Sequence, residues 1–403
     1  WARKISEKDL RFRPHATPAM DMDLGLEYGY WWLEWGGTLD TVKDDEVIRD
    51  ELLSILLGVW DHVKNGGDHG ADNWALEWCG FLPGKRESRR FTGQYTLTQG
   101  DIQNAPKFKD TIAYGGWHMD LHPPDGVDAV DQMPCIQHPV PHLYEIPLGV
   151  CISNNVDNLM FAGRNISATH VAFASTRVMA TCAVIGQGVG TAAALAVNHG
   201  VRPADISNDE KLVKVIQQRL LRDGVFLPGI LNEDPLDLAR NARIRASSEH
   251  SEGRAMNVIS GQTRSVHGEN GVPADRTIPG THRWMSLSEE SFPAWIELSW
   301  QEPVNIQKVH LTFDTGLHRV LTFSLADDYT KKMIWGLPQP ETARDYFLEC
   351  WRQDEWEKIV VETNNYQRQR IYAIENIITD KLRITITATN GIDHARICEI
   401  RVY

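Results

Sequence analysis

The chain has 403 residues, enough for two or three domains, and its 42% hydrophobic and 24% charged content is that of a folded protein, not a disordered one. Its net charge of −13 repels phosphate backbones and argues against nucleic acid as a partner. It holds no unbroken apolar run of about 18 residues, so no membrane span is expected.

The six cysteines, at 79, 135, 151, 182, 350 and 398, contain no CxxC pair. A zinc cluster and a dense disulfide framework are both poorly supported. The chain begins at Trp1, without a methionine and in polar sequence, and reads as a processed or truncated start.

Tyr28 to Trp35 is aromatic and reads as a strand. Thr41-Val42-Lys43-Asp44 has the form of a capping box. Behind it Val47, Ile48, Leu52, Ile55, Leu56, Val59 and Val63 recur at helical spacing, and Asn65-Gly66-Gly67 ends that helix. Residues 66 to 150 are loop-rich, with short strand candidates among many His, Pro and Gly. Asn158 to Gly163 reads as a short buried strand running into a glycine turn. A small-residue helix follows, from Val178 to Asn198, with glycines at 186, 188 and 190. Each glycine costs a helix about 1 kcal/mol relative to alanine, so three together point to close approach by another backbone or a ligand. A further helix runs from Asp209 to Arg222.

Val225 to Leu238 holds two prolines and a glycine and marks a boundary. The expected organisation is residues 1–229, a linker over 230–240, and a second domain over 241–403. In the second domain Trp295 to Trp300, Lys308 to Phe313, Ile359 to Glu362, Lys381 to Thr387 and Arg396 to Tyr403 read as short strands. Their spacing predicts an all-β sandwich.

Gly186-Gln187-Gly188-Val189-Gly190 is not a dinucleotide fingerprint. The fingerprint needs a strand before it and an acidic residue about 20 positions on. These glycines lie inside a helix, and no acid stands between Gly190 and Ala204.

Asn158 to His170, Ser175 to Cys182 and Gly186 to Leu195 closely resemble the closing FAD-binding segment of FAD-dependent oxidoreductases of the glutathione-reductase-like or fumarate-reductase-like kind. Gly84 to Thr98, Gly115 to His122 and Tyr144 to Gly149 fit the same family, and the resemblance covers residues 1–229. It implies FAD as cofactor. Gly163, Arg164 and Asn165 would lie by the flavin's side chain. Met179, Ala180 and Thr181 would turn a positive helix end toward the flavin ring. Arg177 would position substrate or stabilise negative charge. The family opens with a βαβ unit carrying GxGxxG, which is absent here, so the resemblance implies a missing dinucleotide-binding segment or chain as partner.

His118, Asp120 and His122 share one face if their stretch is a strand. A metal site of these three is one reading, though HxDxH alone is weak evidence and no metal is assigned. Another makes His122 a base for removing a hydroxyl proton, oriented by Asp120, with His170 as competitor. Hydrogen-bonded structural histidines are the third. The run Arg86 to Arg90 is a solvated face, or places one arginine in the active cavity.

Ala246 to Glu249, Val258 to Gly261, Arg283 to Ser286, Ala294 to Leu298 and Ala395 to Tyr403 resemble a galactose-binding-like, discoidin-type module. Such modules often bind glycans and favour an extracytoplasmic location. Trp284 and Trp295 read as core. The fold class expected is thus an α/β (α+β) partial FAD-binding and substrate region followed by an all-β, jelly-roll-like sandwich. The function expected is FAD-dependent hydride transfer from a C–H bond of a small-molecule alcohol or sugar-like substrate. The alternatives are a non-catalytic carbohydrate- or partner-binding protein and a metal-dependent hydrolase.

Overall fold

A computed structural model describes residues 1–15, 26, 29–66, 69–264, 282–317, 334 and 336–403. The elements in chain order are α1 (Asp45–Asn65), α2 (Gln99–Asn104), β1 (Thr111–Gly115), β2 (Met119–Leu121), β3 (Ile136–His138), β4 (Tyr144–Pro147), α3 (His170–Thr176), α4 (Met179–His199), α5 (Pro203–Ile206) and α6 (Glu210–Arg222). They continue with β5 (Arg243–Ala246), β6 (Trp284–Met285), β7 (Ala294–Phe313), β8 (Ala343–Arg352), β9 (Glu355–Glu362), β10 (Gln369–Thr389) and β11 (Arg396–Val402). This is the mixed region followed by antiparallel β-structure that the sequence predicts. The chain divides into two compact units, 1–103 with 115–141 and 149–183, and 104–114 with 142–148 and 184–403.

In the first unit α1 is the helix read from its apolar spacing. Ile55, Val59 and Val63 pack with Leu10, Trp32 and Ala71 into one buried cluster. Its start differs from the capping box expected. The Thr41 hydroxyl turns to the Glu87 carbonyl at 3.4 Å, and Asp40 takes the N–H groups of Val42 and Lys43 at 3.0 and 3.3 Å. Asp44 is the N-cap residue, and Gly66 caps the other end. Gly67 lies outside the described residues, as does Tyr28. The strand expected from Tyr28 to Trp35 is instead a 3₁₀ turn at Tyr30–Trp32. Gly29, at φ 108°, bends the chain there, and the buried Trp32 donates its indole N–H to the Pro14 carbonyl at 2.7 Å. Anchoring by the side chain overrides the aromatic strand preference.

β2 and β3 pair antiparallel, with Asp120 opposite Gln137. Thr169 caps α3 by accepting the Ala172 N–H. The buried strand expected at Asn158–Gly163 is reduced to one bridge between Met160 and Ile152. Asn158 sits in a turn and Gly163 turns the chain again at φ 93°, so only Phe161 is buried.

In the second unit β1 pairs with β4, and Asp209 caps α6 through the N–H groups of Lys211 and Leu212. The close approach predicted from the glycines of α4 is found at Gly188, where a Cβ would stand 2.8 Å from the Ile112 carbonyl oxygen. Gly186 and Gly190 face open space. Against the expectation of no span, α4 is long and apolar enough to cross a membrane by length and composition alone. However, 33% of its most apolar stretch is buried, and core helices of soluble proteins pass the same test.

The β-strands run in the order β6-β11-β7-β10-β8-β9, with β5 also on β7. β7 and β10 pair along three stretches separated by two register shifts. One core fills the space between, built from Ile296, Leu298, Leu311, Phe313, Leu348 and Ile384 with Ile397 and Val402. Trp284 is wholly buried, as expected, and bonds the Ser248 carbonyl. Trp295 is only half-buried, under the Arg383 guanidinium at 4.6 Å, so it is less of a core residue than expected. Asn232, Asp234 and Asp237 are buried, and Asp237 accepts the Val402 N–H at 3.0 Å, so the 230–240 segment is anchored rather than slack.

Gly188→Ala is expected to destabilise the chain by about 1–3 kcal/mol in urea unfolding, because backbone must move to admit the methyl. Gly190→Ala is expected to stabilise it by roughly 0.5–1 kcal/mol, since its added methyl meets nothing.

Candidate active site

The first unit contains a cavity of about 510 Å³, lined among others by Glu34, Arg86, Asp120, His122, His170 and Arg177. Four sequence-distant stretches supply its charges. β2 presents Asp120, with His122 just beyond it. The residue following α3 is Arg177. The segments after the 3₁₀ turn and after Gly84 bring Glu34 and Arg86.

Asp120 Oδ2 accepts from Arg177 Nη2 at 2.8 Å and meets His122 Nε2 at 3.1 Å. The other ring nitrogen, Nδ1, lies 2.8 Å from Glu34 Oε2. Arg86 pairs with Glu34. His122 thus has a carboxylate at each nitrogen, and Trp31 packs edge-on against its ring at 5.7 Å. Burial opposes charging this ring, but hydrogen bonds to Asp120 and Glu34 overcome it and hold His122 above its ordinary value of 6.5. Burial likewise opposes the Asp120 charge, yet His122 and Arg177 bring its pKa down to about 2. Cys135 lies beside the pair, and burial with the Asp120 charge pushes its thiol up to about 12. The result is an imidazole between two carboxylates, flanked by two guanidinium groups, that holds its proton more tightly than a free ring.

His170 is built differently. It opens α3 and its side chain is 59% exposed. Its Nδ1 lies 2.7 Å from Glu87 Oε2, and Nε2 has no partner among the described residues. Burial and the charge of Arg90 lower its pKa.

The structure therefore brings together Asp120, His122 and Arg177, and puts His170 on the same cavity through a different partner. His118 is exposed beside Trp117 and does not join the Asp120–His122–Cys135 group. The charged run 86–90 faces the cavity rather than only solvent. Sequence reading missed Glu34, Glu87 and Cys135. Glu34 follows an aromatic run with no motif of its own. Glu87 stood inside a run whose default is a solvated face.

Gly163, Arg164 and Asn165 form the turn expected of them. The Arg164 guanidinium grips the carbonyls of Lys85 and Arg86, and the Asn165 carbonyl accepts the Phe91 N–H at 2.9 Å. Met179 and Ala180 are exposed at the start of α4, and Thr181 is buried.

The sequence matches the family described as FAD dependent oxidoreductase over residues 4–220. The chain belongs to that family. No curated protein matches it. Among solved structures, the chain is similar to the family 32 carbohydrate-binding module of C. perfringens NanJ in complex with galactose, at 12% identity and a TM-score of 0.30, covering 41% of this chain and 97% of that one. It is also similar to a Clostridium perfringens module, CpGH89CBM32-5, in complex with GalNAc-β-1,3-galactose, at 14% identity and a TM-score of 0.29, covering 41% and 99%. A third is the family 32 module of Streptococcus pneumoniae EndoD, at 14% identity and a TM-score of 0.29, covering 41% and 98%.

Residues of this family member fit the cofactor its family implies. Gly163 has a left-handed backbone with nothing nearer its would-be Cβ than the Asn165 side chain at 3.6 Å, so a flat ligand can approach the main chain. The Thr176 hydroxyl is buried without a hydrogen-bond partner among the described residues, and α4 begins with exposed residues.

Because folding raises the His122 pKa, its ion pairs add stability that is full below the unfolded value and is lost as pH rises through the folded one. Asp120 behaves oppositely, adding stability that is lost as pH falls toward 2. NMR titration is expected to give His122 a midpoint above 6.5, and Glu34→Gln is expected to lower it. A midpoint unmoved by that substitution overturns the assignment of the pair.

Proposed function

We propose that this chain is the substrate-side part of an FAD-dependent oxidoreductase that takes hydride from a C–H bond of an alcohol or sugar-like substrate. On this reading residues 1–229 form the oxidoreductase portion, 230–240 the connection and 241–403 the sandwich module. FAD, when bound, supplies the hydride acceptor. Gly163, Arg164, Asn165, Met179, Ala180 and Thr181 would hold it on this chain. A dinucleotide-binding segment or chain would hold its ADP part.

One observation carries the assignment of roles. His122 has both ring nitrogens engaged by carboxylates, whereas His170 has one nitrogen held by Glu87 and the other unengaged. A base needs a lone pair, and His170 offers one with its proton fixed on the far nitrogen. Its lowered pKa keeps it neutral at pH 7. We therefore assign the hydroxyl proton to His170. His122, Asp120 and Arg177 form a fixed charge array that orients the substrate and steadies negative charge on its oxygen. Glu87 positions the base.

The test is FAD binding by the purified chain, followed by turnover of a panel of alcohols and reducing sugars with an artificial electron acceptor. The expected result is quenching of flavin fluorescence on binding, and oxidation that His170→Ala slows by about 10²–10⁴-fold. The rate is expected to rise with pH through a value below 6.5, since only neutral His170 accepts a proton, and Arg90→Gln is expected to move that limb upward. FAD that leaves no trace of binding sinks the reading for this chain. Full activity in His170→Ala sinks the base assignment alone.

A further inference from the structure

A second histidine cluster lies in the first unit, distinct from the cavity residues. Glu7, His15, His62 and His69 each offer one ligand atom, and these atoms all lie within 4.8 Å of one another. His62 Nε2 is 3.3 Å from His69 Nε2, and both stand 3.1 Å from Glu7 Oε1. His15 Nε2 is 3.2 Å from the other carboxylate oxygen. The three imidazoles are more than nine-tenths buried, while Glu7 is open to solvent on one side. We propose that Glu7, His15, His62 and His69 bind one Zn²⁺ ion, which ties the N-terminal segment to the end of α1 and the turn after it.

The spacing suits that ion. Zinc binds imidazole nitrogen at about 2.0–2.1 Å and carboxylate oxygen at about 2.0–2.2 Å, usually as a tetrahedron. The edge of such a tetrahedron is about 3.3 Å by geometry from those bond lengths; Glu7 Oε1, His62 Nε2 and His69 Nε2 stand 3.1 to 3.3 Å apart, and His15 Nε2 is 3.4 Å from the same oxygen. Imidazole-rich donor sets suit zinc-class ions rather than calcium or magnesium.

The tautomers suit it as well. His15 Nδ1 lies 2.5 Å from the Arg13 carbonyl, which can only accept, so the ring proton sits on Nδ1. Its Nε2 then faces the Glu7 carboxylate, where either a ring proton or a metal cation stands between nitrogen and oxygen. The convergence of the other two imidazoles on the same carboxylate favours the metal. A backbone carbonyl holding the far nitrogen is the usual second-shell support of a metal-bound histidine.

The scaffold is rigid where the ligands attach. Leu10 lies between Glu7 and His15, Val59 and Val63 flank His62, and Ala71 follows His69; all four sit in one buried cluster. Arg3 N–H donates to the Ser54 carbonyl at 3.0 Å, laying the N-terminal segment on α1. Four protein donors close the shell, so the ion is a cross-link rather than a site for substrate.

The experiment is titration of EDTA-treated full-length protein with Co²⁺ and then Zn²⁺. The expected result is one equivalent of Co²⁺ with the intense visible bands of a four-coordinate ion, displaced by one equivalent of Zn²⁺, and a thermal midpoint that rises on zinc addition. His62→Gln and His69→Gln are each expected to weaken Co²⁺ binding by at least about tenfold, by analogy with the losses seen when metal-site support is removed. Glu7→Gln, at an exposed carboxylate, is expected to weaken it likewise with an unchanged far-ultraviolet circular dichroism spectrum, which separates ligand loss from unfolding. Cys135→Ser is expected to leave binding intact. Absence of stoichiometric metal at saturating Zn²⁺ and Co²⁺ overturns the proposal. So does binding that survives His62→Gln and Glu7→Gln or is lost in Cys135→Ser. None of these outcomes depends on flavin binding.

Discussion

A carboxylate buried between an imidazole and a guanidinium has to stay charged, and Asp120 is such a carboxylate. Protonating it would leave Arg177 and His122 facing a neutral group in a medium poor in water, which is why its pKa falls to about 2. The cavity is organised around that requirement. β2 must present Asp120 beside His122, the turn after α3 must deliver Arg177, and Glu34 must reach the far nitrogen of His122. Arg86, held through its backbone by Arg164, completes the charge balance. The turn at Gly163–Asn165 therefore serves two ends. It shapes a glycine edge that a ligand can approach, and its arginine fixes the loop that carries a cavity cation.

What the sequence made legible was local. The α1 period, the helix from Asp209 to Arg222, the glycine-rich helix and the β-strands of the second half follow from spacing within ten or twenty residues. The HxDxH face and Arg177 were visible as motifs for the same reason. Glu34 and Glu87 were not, because their meaning comes from partners 52 to 88 residues away in the chain; Cys135 was not, because only the fold turns it toward Asp120 and His122. The misread strand at Tyr28–Trp35 shows the same limit. Strand preference described its aromatic residues, but one indole bonded to the Pro14 carbonyl decided their conformation.

The glycines of α4 divide along similar lines. Their cost predicted a close neighbour, and only Gly188 has one among the described residues. Gly186 and Gly190 lie over open space on a helix whose exposed positions include Ala183, Gln187, Gly190, Ala194 and Val197. The β-sandwich, by contrast, gathers its strand-borne apolar residues into one buried cluster, though Val361, Ile371 and Ile378 stay exposed. Its buried ions are likewise matched, with Asp314 between Arg283 and Arg396 and Glu399 against Arg401.

The two histidine clusters of the first unit make the final distinction. Around His122 two carboxylates already face two guanidinium groups, so the charges there balance without a metal ion. Around Glu7 three buried imidazoles converge on one carboxylate, and no lysine or arginine stands among the four groups that meet there. The first cluster is satisfied within its own charges, whereas the second offers the donor set of the zinc site proposed above.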